Sequence, residues 1–340
     1  MSFQNEIKNM LAEYAAEREF QTALGLSEDL ELEFLAQGEY NINYLIKDGE
    51  DKFVIRINLG SQMNLDNQIA YEFNALETLV PSGVTPRPFL IDDSQDKLPY
   101  GMLVMEYLSG RSLEYQKDLK QAAEVFAAVH EVDTEDENKI IREEKPLTAV
   151  WDECSQLIDK YLDSELADKE IKSFLNKIRD KLYLEKEKEA DILSLLPESI
   201  VNTEVNSGNF IINEKEDEAN LVDWEKPLIT TPVQDLSHFM VPTTTLWKTN
   251  FIFNQAEEEE FLHHYIDTRN LDISYRELLS ALEIFNKFSA MRGISWSAMA
   301  WVEYQQPDRL IKNSDTFKTI ESYLRRDFLE MLFPETAKEV

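Results

Sequence analysis

Strand-like and helical segments are unevenly distributed along this chain, and this distribution constrains the fold more than any other feature. Between about residues 30 and 107, short runs alternate polar and apolar residues, for example 40–46 and 53–57 on either side of a polar turn. Such alternation predicts β-strands. Beyond that region the pattern is mainly helical, except for one isolated pair of strand-like runs, 209–213 and 219–224. The pattern predicts an α+β fold with a single hairpin in its helical part.

The change of pattern near residue 107 indicates two lobes. A chain of 340 residues exceeds the length at which a single hydrophobic core stops growing. We therefore expect an N-terminal lobe over residues 1–107, which begins with a helix and contains the sheet, and a largely helical C-terminal lobe over residues 108–340. In the second lobe, residues 275–304 carry a continuous apolar stripe at helical spacing, which predicts a long helix.

Composition excludes several classes of protein. The formal charge of −32 argues against general binding to nucleic acid or to an anionic membrane surface. The single cysteine, Cys154, cannot form an intramolecular disulfide, and no apolar run is long enough to cross a bilayer. The first ten residues lack the apolar block of a signal peptide. These features predict a soluble, cytoplasmic protein.

The excess of acidic residues has two interpretations that the sequence leaves open. It is either a highly solvated surface or a negative cleft that attracts a polycationic substrate. A disordered acidic tail is excluded, because the acidic residues are spread among apolar ones.

The predicted hairpin and the loop before it carry polar residues that suit phosphoryl transfer. This reaction needs an oriented nucleophile, a divalent metal that bridges phosphate oxygens, and a cation on the remaining phosphate charge. Glu204 and Asn209 are five residues apart, which is the separation of the base and the amide ligand in kinase catalytic loops. Asp223 lies near the end of the second strand-like run, and its carboxylate suits a hard cation. The pattern predicts catalytic roles for Glu204 and Asn209, and metal binding by Asn209 and Asp223.

These residues resemble a motif of the aminoglycoside phosphotransferase and choline kinase family. The catalytic loop of that family reads His-Gly-Asp-x-x-x-x-Asn, and the strand that follows ends in Ile-Asp-Trp. Here residues 202–209 read Asn-Thr-Glu-Val-Asn-Ser-Gly-Asn, and residues 221–224 read Leu-Val-Asp-Trp. The resemblance covers about residues 35–301 and implies a bilobal protein-kinase-like fold that uses ATP and Mg²⁺.

Further segments resemble the family in the order expected. Residues 36–41 resemble the loop that covers the nucleotide, and residues 104–110 resemble the hinge. Arg56 stands where the family has the basic residue that contacts the ATP phosphates, and Glu72 stands where its acidic partner lies. Asp235 resembles the aspartate that braces the catalytic loop. The nucleotide contacts implied by the resemblance are Gly38, Asn41, Arg56, Glu72, Met105, Glu106 and Tyr107.

Two loop positions depart from the family. The usual catalytic aspartate is replaced by Glu204, which is one methylene longer, and the usual histidine by Asn202. A glutamate can still accept a hydroxyl proton when the substrate or the loop leaves room for it. The departures motivate an alternative function, a nucleotide-binding pseudokinase that acts as a sensor or interaction module. A protein kinase is a weaker alternative, because Asp235 follows Asp223 too closely for a long activation segment.

The leading hypothesis is an ATP- and magnesium-dependent enzyme that phosphorylates a hydroxyl group of a small molecule. Members of the family that the chain resembles act on aminoglycosides, choline-like amino alcohols and sugars, and the sequence leaves this choice open. The negative charge favours a cationic acceptor.

Overall fold

The computed structural model describes residues 3–38, 40–134, 139–306 and 314–338. Within these ranges the chain forms two compact units that alternate along the sequence. The first unit comprises the described residues of 1–113, 131–141 and 208–228. The second comprises those of 114–130, 142–207 and 229–340.

Helices and strands are numbered in chain order. The strands are β1 Glu31–Gln37, β2 Asn41–Asp48, β3 Asp51–Asn58, β4 Pro88–Asp92, β5 Gly101–Glu106, β6 Arg111–Ser112, β7 Ser199–Val201, β8 Phe210–Asn213, β9 Glu218–Leu221 and β10 Leu228–Thr230. The α-helices are α1 Phe3–Ala15, α2 Arg18–Leu24, α3 Gln68–Leu79, α4 Leu119–His130, α5 Pro146–Asp163, α6 Lys169–Glu185, α7 Glu189–Leu193, α8 Val233–Met240, α9 Pro242–Lys248, α10 Gln255–Thr268, α11 Tyr275–Tyr304, α12 Ser314–Tyr323, α13 Arg326–Leu332 and α14 Pro334–Ala337.

A five-stranded antiparallel sheet forms the centre of the first unit. Its strand order is β1-β2-β3-β5-β4, so that β3 lies in the middle and pairs with β2 and β5. Ile42, Tyr44 and Ile46 on β2 and Ile55 and Ile57 on β3 are buried in one core, together with apolar residues of α1 and α2. Since side chains alternate between the faces of a strand, one set of residues on β2 and β3 faces the two helices.

The hairpin of β8 and β9 belongs to the first unit. The backbone N–H of Leu221 donates to the carbonyl of Val84 at 2.8 Å. Two side chains of α3 reach the segment that follows the hairpin: Gln68 Nε2 donates to the Glu225 carbonyl at 2.6 Å, and the Tyr71 hydroxyl to the Pro227 carbonyl at 2.5 Å. These bonds fix the position of residues 221–227 against α3, which itself packs on β4 and β5.

Helices build most of the second unit, around the 30-residue helix α11. This helix begins with a capping box formed by Ser274 and Glu277, and its buried stripe includes Leu282, Phe285 and Phe288. Helix α5 packs along α11, and α4, α8 and α10 complete the helical core. In the part of the chain that the structure describes, no helix has the length and apolarity needed to cross a membrane.

The predicted fold class, an α+β protein of the kinase-like type with an antiparallel N-terminal sheet, is confirmed. The expectation of a single strand pair in the remainder is wrong, because β7 and β10 also pair in the second unit and β6 pairs with β8 in the first. These strands span only two or three residues, which is too short for an alternating pattern to be visible.

Shortening a buried side chain of the central strand should destabilise the first unit. We expect Ile55→Ala to lower the free energy of unfolding by about 3 kcal/mol and Ile55→Val by about 1 kcal/mol, because Ile55 is fully buried and the lost methyl groups leave a cavity. Urea unfolding followed by circular dichroism measures the change. Leu35→Ala on β1 is the matched control, since Leu35 is 42% exposed. Equal losses in Ile55→Ala and Leu35→Ala would contradict the assigned core.

Candidate active site

A buried arginine on the central strand of the first unit is surrounded by carboxylates. Arg56 lies on β3, and its Nη1 is 2.5 Å from Glu72 Oε1, 3.0 Å from Asp223 Oδ1 and 3.4 Å from Glu225 Oε1. Its Nε donates to Asn43 Oδ1 on β2 at 3.0 Å. Burial alone would lower the pKa of Arg56, but the three carboxylates, Glu72 first, raise it above its usual range. Arg56 therefore stays charged, and the ion pair with Glu72 that the sequence predicts is present.

Glu72 is the most deeply buried of the three acids. It lies on α3, is 1% exposed, and its Oε2 atom is buried without a hydrogen-bond partner in the structure. Burial raises the pKa of Glu72 to about 7, and the charge of Asp223 adds to this, whereas Arg56 opposes it. A buried carboxylate held by a single guanidinium is a strong electrostatic constraint on the position of both groups.

Glu225 joins this cluster, although the sequence analysis did not select it. Burial, followed by the neighbouring charge of Asp223, raises the pKa of Glu225 to about 8. Three carboxylates thus face one guanidinium, and the pKa values of Glu72 and Glu225 are raised first by burial and then by the neighbouring charge of Asp223. The short spacing between Asp223 and Glu225 was the only available signal in the sequence.

Asn209 and Asp223 come together in the first unit. Asn209 Nδ2 lies 3.5 Å from Asp223 Oδ2, and the backbone N–H of Val222 donates to the Asn209 carbonyl at 2.8 Å. Asp223 has a positive φ of 71°, which is uncommon for a residue other than glycine and turns the chain sharply after β9. The buried indole of Trp224 donates to the Leu221 carbonyl at 3.0 Å and holds this turn.

The remaining residues expected to contact the nucleotide also lie in the first unit. Gly38 follows β1, and its N–H donates to the carbonyl of Asn41, the first residue of β2, at 2.9 Å. Met105 is buried near the end of β5. Glu106 ends that strand; its backbone N–H donates to the Arg87 carbonyl at 2.9 Å, and its Oε2 accepts from the Arg87 N–H at 3.2 Å. The ring of Tyr107 lies under the Lys52 ammonium at 5.7 Å.

Glu204 lies in the second unit, in a loop held by Asp235 of α8. The two carboxylate oxygens of Asp235 accept the backbone N–H groups of Asn202 and Thr203, each at 2.8 Å. Asn202 Oδ1 accepts from the Glu204 N–H at 3.3 Å. Thr203 has a positive φ of 76°, a strained conformation for a β-branched residue. The strain persists because these bonds fix the loop.

His130, at the end of α4, supports Asp235. Its Nε2 lies 3.4 Å from Asp235 Oδ2, and its Nδ1 lies 3.0 Å from the Tyr265 hydroxyl. Burial lowers the pKa of His130, while Asp235 opposes this shift. These contacts give His130 a structural role, because they hold Asp235 in place.

Arg292 of α11 contacts Glu204 and was missed by sequence reasoning. Its Nη2 lies 2.8 Å from Glu204 Oε1, its Nη1 donates to the Thr203 carbonyl at 2.9 Å, and its Nε donates to Glu153 Oε2 on α5 at 3.2 Å. The only signal in the sequence is a charged residue next to the apolar stripe of the long helix.

The fold is that of the kinase-like phosphotransferases, and comparison with known proteins identifies the family. The model of a phosphotransferase enzyme family, APH, matches residues 31–278, so the chain belongs to this family. This confirms the family that the sequence motifs indicate. No curated protein matches the sequence significantly.

Solved structures share the fold at low sequence identity. An ethanolamine kinase of Plasmodium vivax is 15% identical, with a TM-score of 0.64 over 93% of this chain and 88% of that one. A choline kinase of Cryptosporidium parvum Iowa II is 13% identical, with a TM-score of 0.64 over 97% and 99%. Spectinomycin phosphotransferase APH(9)-Ia, in complex with ADP and spectinomycin, is 13% identical, with a TM-score of 0.59 over 97% and 98%.

Removing one oxygen acceptor from Asp235 should loosen the loop of Glu204. In Asp235→Asn an NH₂ group replaces one carboxylate oxygen and cannot accept a hydrogen bond from a backbone N–H. We therefore expect the free energy of unfolding to fall by about 2 kcal/mol. Urea unfolding measures it. Asp159→Asn, which alters an ion pair of an exposed carboxylate with Arg179, is the control and should change stability by less than about 0.5 kcal/mol. Identical unfolding curves for Asp235→Asn and the native protein would show that the two bonds are dispensable.

Proposed function

We propose that this protein is an ATP-dependent phosphotransferase that moves the γ-phosphate to a hydroxyl group of a small molecule, with Mg²⁺ as the metal. The proposal rests on one observation above all. An amide and a carboxylate, Asn209 and Asp223, adjoin a buried arginine that is paired with Glu72. Metal ligands beside a fixed cation are what the phosphates of a nucleotide require.

The donor set around Asp223 fits a magnesium ion. Protein sites bind Mg²⁺ through one or two oxygen ligands and leave the remaining positions to water and substrate phosphates. Among the residues that the structure describes, no three His, Cys, Asp or Glu side chains form a metal cage of their own, so a bound ion would need such additional ligands. The excess of carboxylates and the unpartnered Oε2 of Glu72 favour a cation in this region. A bound magnesium ion supplies charge neutralisation at the β- and γ-phosphate oxygens.

The nucleotide is assigned to the first unit. Arg56 would contact the phosphates, since a planar guanidinium can donate two parallel hydrogen bonds to phosphate oxygens. Gly38 and Asn41 would lie over the nucleotide, and the hinge residues Met105, Glu106 and Tyr107 would contact the adenine. The spectinomycin phosphotransferase with the same fold contains ADP, which supports the use of a nucleotide here.

Glu204 is assigned to the acceptor hydroxyl. In the reaction, the acceptor oxygen forms a bond to the γ-phosphorus while the bond from that phosphorus to the β,γ-bridging oxygen breaks and leaves its electron pair on ADP. The hydroxyl proton passes to the carboxylate of Glu204. Because the transition state is loose, orientation of the hydroxyl contributes more than the strength of the base.

An organic hydroxyl compound is the acceptor class that the comparisons favour. The neighbours of known fold are named as ethanolamine, choline and spectinomycin kinases or phosphotransferases. The charge of −32 adds a preference for a cationic acceptor, such as an amino alcohol or an aminoglycoside, over a neutral sugar. The comparisons give the pseudokinase alternative no support.

Removing the carboxylate at position 223 should abolish turnover. We expect Asp223→Ala to reduce magnesium-dependent ATP consumption by more than about a hundredfold with every acceptor, because the metal loses a charged ligand. A coupled ATP-consumption assay over amino alcohols, aminoglycosides and sugars provides the measurement. The control is Glu218→Ala, which removes an exposed carboxylate from β9 of the same hairpin. Full activity of Asp223→Ala with any acceptor would eliminate the proposed metal site.

Neutralising Glu204 should slow the transfer step and leave nucleotide binding intact. We expect Glu204→Gln to lower kcat by about 10²-fold or more, since the amide cannot take the hydroxyl proton. The thermal shift produced by magnesium-ATP should stay within about one degree of the native value, because the predicted nucleotide contacts lie on other residues. Glu165→Gln, an exposed loop position in the second unit, is the control. A native kcat in Glu204→Gln would exclude Glu204 as the base.

A further inference from the structure

Arg292 is a largely buried cation with three acceptors, two of which belong to the loop of Glu204. Its side chain is 11% exposed. Nη2 engages the Glu204 carboxylate, Nη1 the Thr203 carbonyl, and Nε the Glu153 carboxylate. Arg292 thus joins α11, α5 and the loop in one network within the second unit.

The buried charge of Arg292 is stabilised by its two acidic partners. Burial alone would lower the pKa of Arg292, but Glu153 and then Glu204 raise it above its usual range. A charge that is taken out of water needs close partners of opposite sign, and removing one of them leaves the other uncompensated. The network therefore has a preferred geometry and resists rearrangement.

The close packing of α11 against α9 fixes the position of the Arg292 backbone. The next residue, Gly293, lies against Thr243 of α9 so closely that a Cβ at position 293 would be 2.6 Å from the Thr243 Cβ. Only glycine allows this approach. Since Arg292 is adjacent, its backbone is held where its side chain reaches the loop.

The Glu204 carboxylate needs a fixed partner such as Arg292 more than the carboxylate of an aspartate would. A glutamate has one more rotatable bond, so its carboxylate samples more positions when nothing restrains it. The loop is held by Asp235 through the N–H of Thr203 and by Arg292 through the carbonyl of the same residue. The contact from Nη2 to Oε1 extends this restraint to the carboxylate itself.

We propose that Arg292 is the positioning residue that directs the Glu204 carboxylate and thereby allows a glutamate to orient the acceptor hydroxyl. The inference rests on the proposed function. Arg292 acts through Glu204 and does not contact the transferred phosphate. Glu153 completes the arrangement by holding the other side of the guanidinium.

Kinetic constants of Arg292 variants test the proposal. Arg292→Met should lower kcat by about 10²-fold, the cost of misplacing a reacting group by about 1 Å, while the KM for ATP changes by less than about twofold. Arg292→Lys keeps the positive charge but loses the planar guanidinium that donates several hydrogen bonds at once. Its kcat should lie between those of Arg292→Met and the native protein. Arg179→Met removes a guanidinium that pairs with Asp159 on the surface and is the matched control. A native kcat in Arg292→Met overturns the proposal.

A double-mutant cycle distinguishes positioning of Glu204 from general damage. If Arg292 acts through Glu204, adding Arg292→Met to Glu204→Gln should lower kcat by less than about threefold further, because residues that act as a unit are not additive. A full additional loss of about 10²-fold would show that Arg292 works by another route and would overturn the proposal. Circular dichroism checks that each variant is folded.

Hydrogen exchange provides a readout that does not depend on turnover. Arg292→Met should speed amide exchange in residues 202–206, whereas Arg179→Met should leave it unchanged, since Arg292 holds the Thr203 carbonyl. If the native protein consumes no ATP with any acceptor, faster exchange in Arg292→Met would still support the role of Arg292 in holding the loop, and the proposed function would be refuted instead. Unchanged exchange together with an unchanged kcat refutes the role of Arg292.

Discussion

A buried arginine can remain in the central strand of a sheet only when carboxylates accompany it. Arg56 meets this requirement with Glu72 from α3 and with Asp223 and Glu225 from the segment after β9. Elements that are distant in sequence thus converge on one guanidinium. Because Arg56 without these acids, or Glu72 without Arg56, would be a buried uncompensated charge, this set of ion pairs fixes the geometry of the first unit around its candidate residues.

In the second unit, charged side chains hold a strained loop in place. Thr203 has a positive φ, and its N–H and carbonyl are bonded by Asp235 and Arg292 from two different helices. Asp235 is in turn supported by His130. A β-branched residue keeps this conformation only when the surroundings determine it, so α8 and α11 together define where Glu204 lies. Membership of the phosphotransferase family gives this loop its proposed meaning.

Much of the fold was visible in the sequence because it depends on local periodicity. The alternation around residues 40–57 predicted β2 and β3, and the apolar stripe of 275–304 predicted α11 with its correct bounds. The hairpin of β8 and β9 was also predicted, since two strands of four residues are joined by a polar turn. The strands β6, β7 and β10 were not, because segments of two or three residues pair through tertiary contacts and carry no pattern of their own.

The sequence by itself determined the order and chemistry of the candidate residues: a basic residue in an apolar strand, an acid on the next helix, and Glu204, Asn209 and Asp223 at spacings typical of a kinase. These features depend on neighbours along the chain, so they can be read without coordinates. Only the tertiary structure decided that Arg292 contacts Glu204 across 88 residues and that Glu225 joins Arg56 across 169. Ion pairs of this kind depend on how helices and strands pack, and packing brings together residues whose separation in sequence carries no signal.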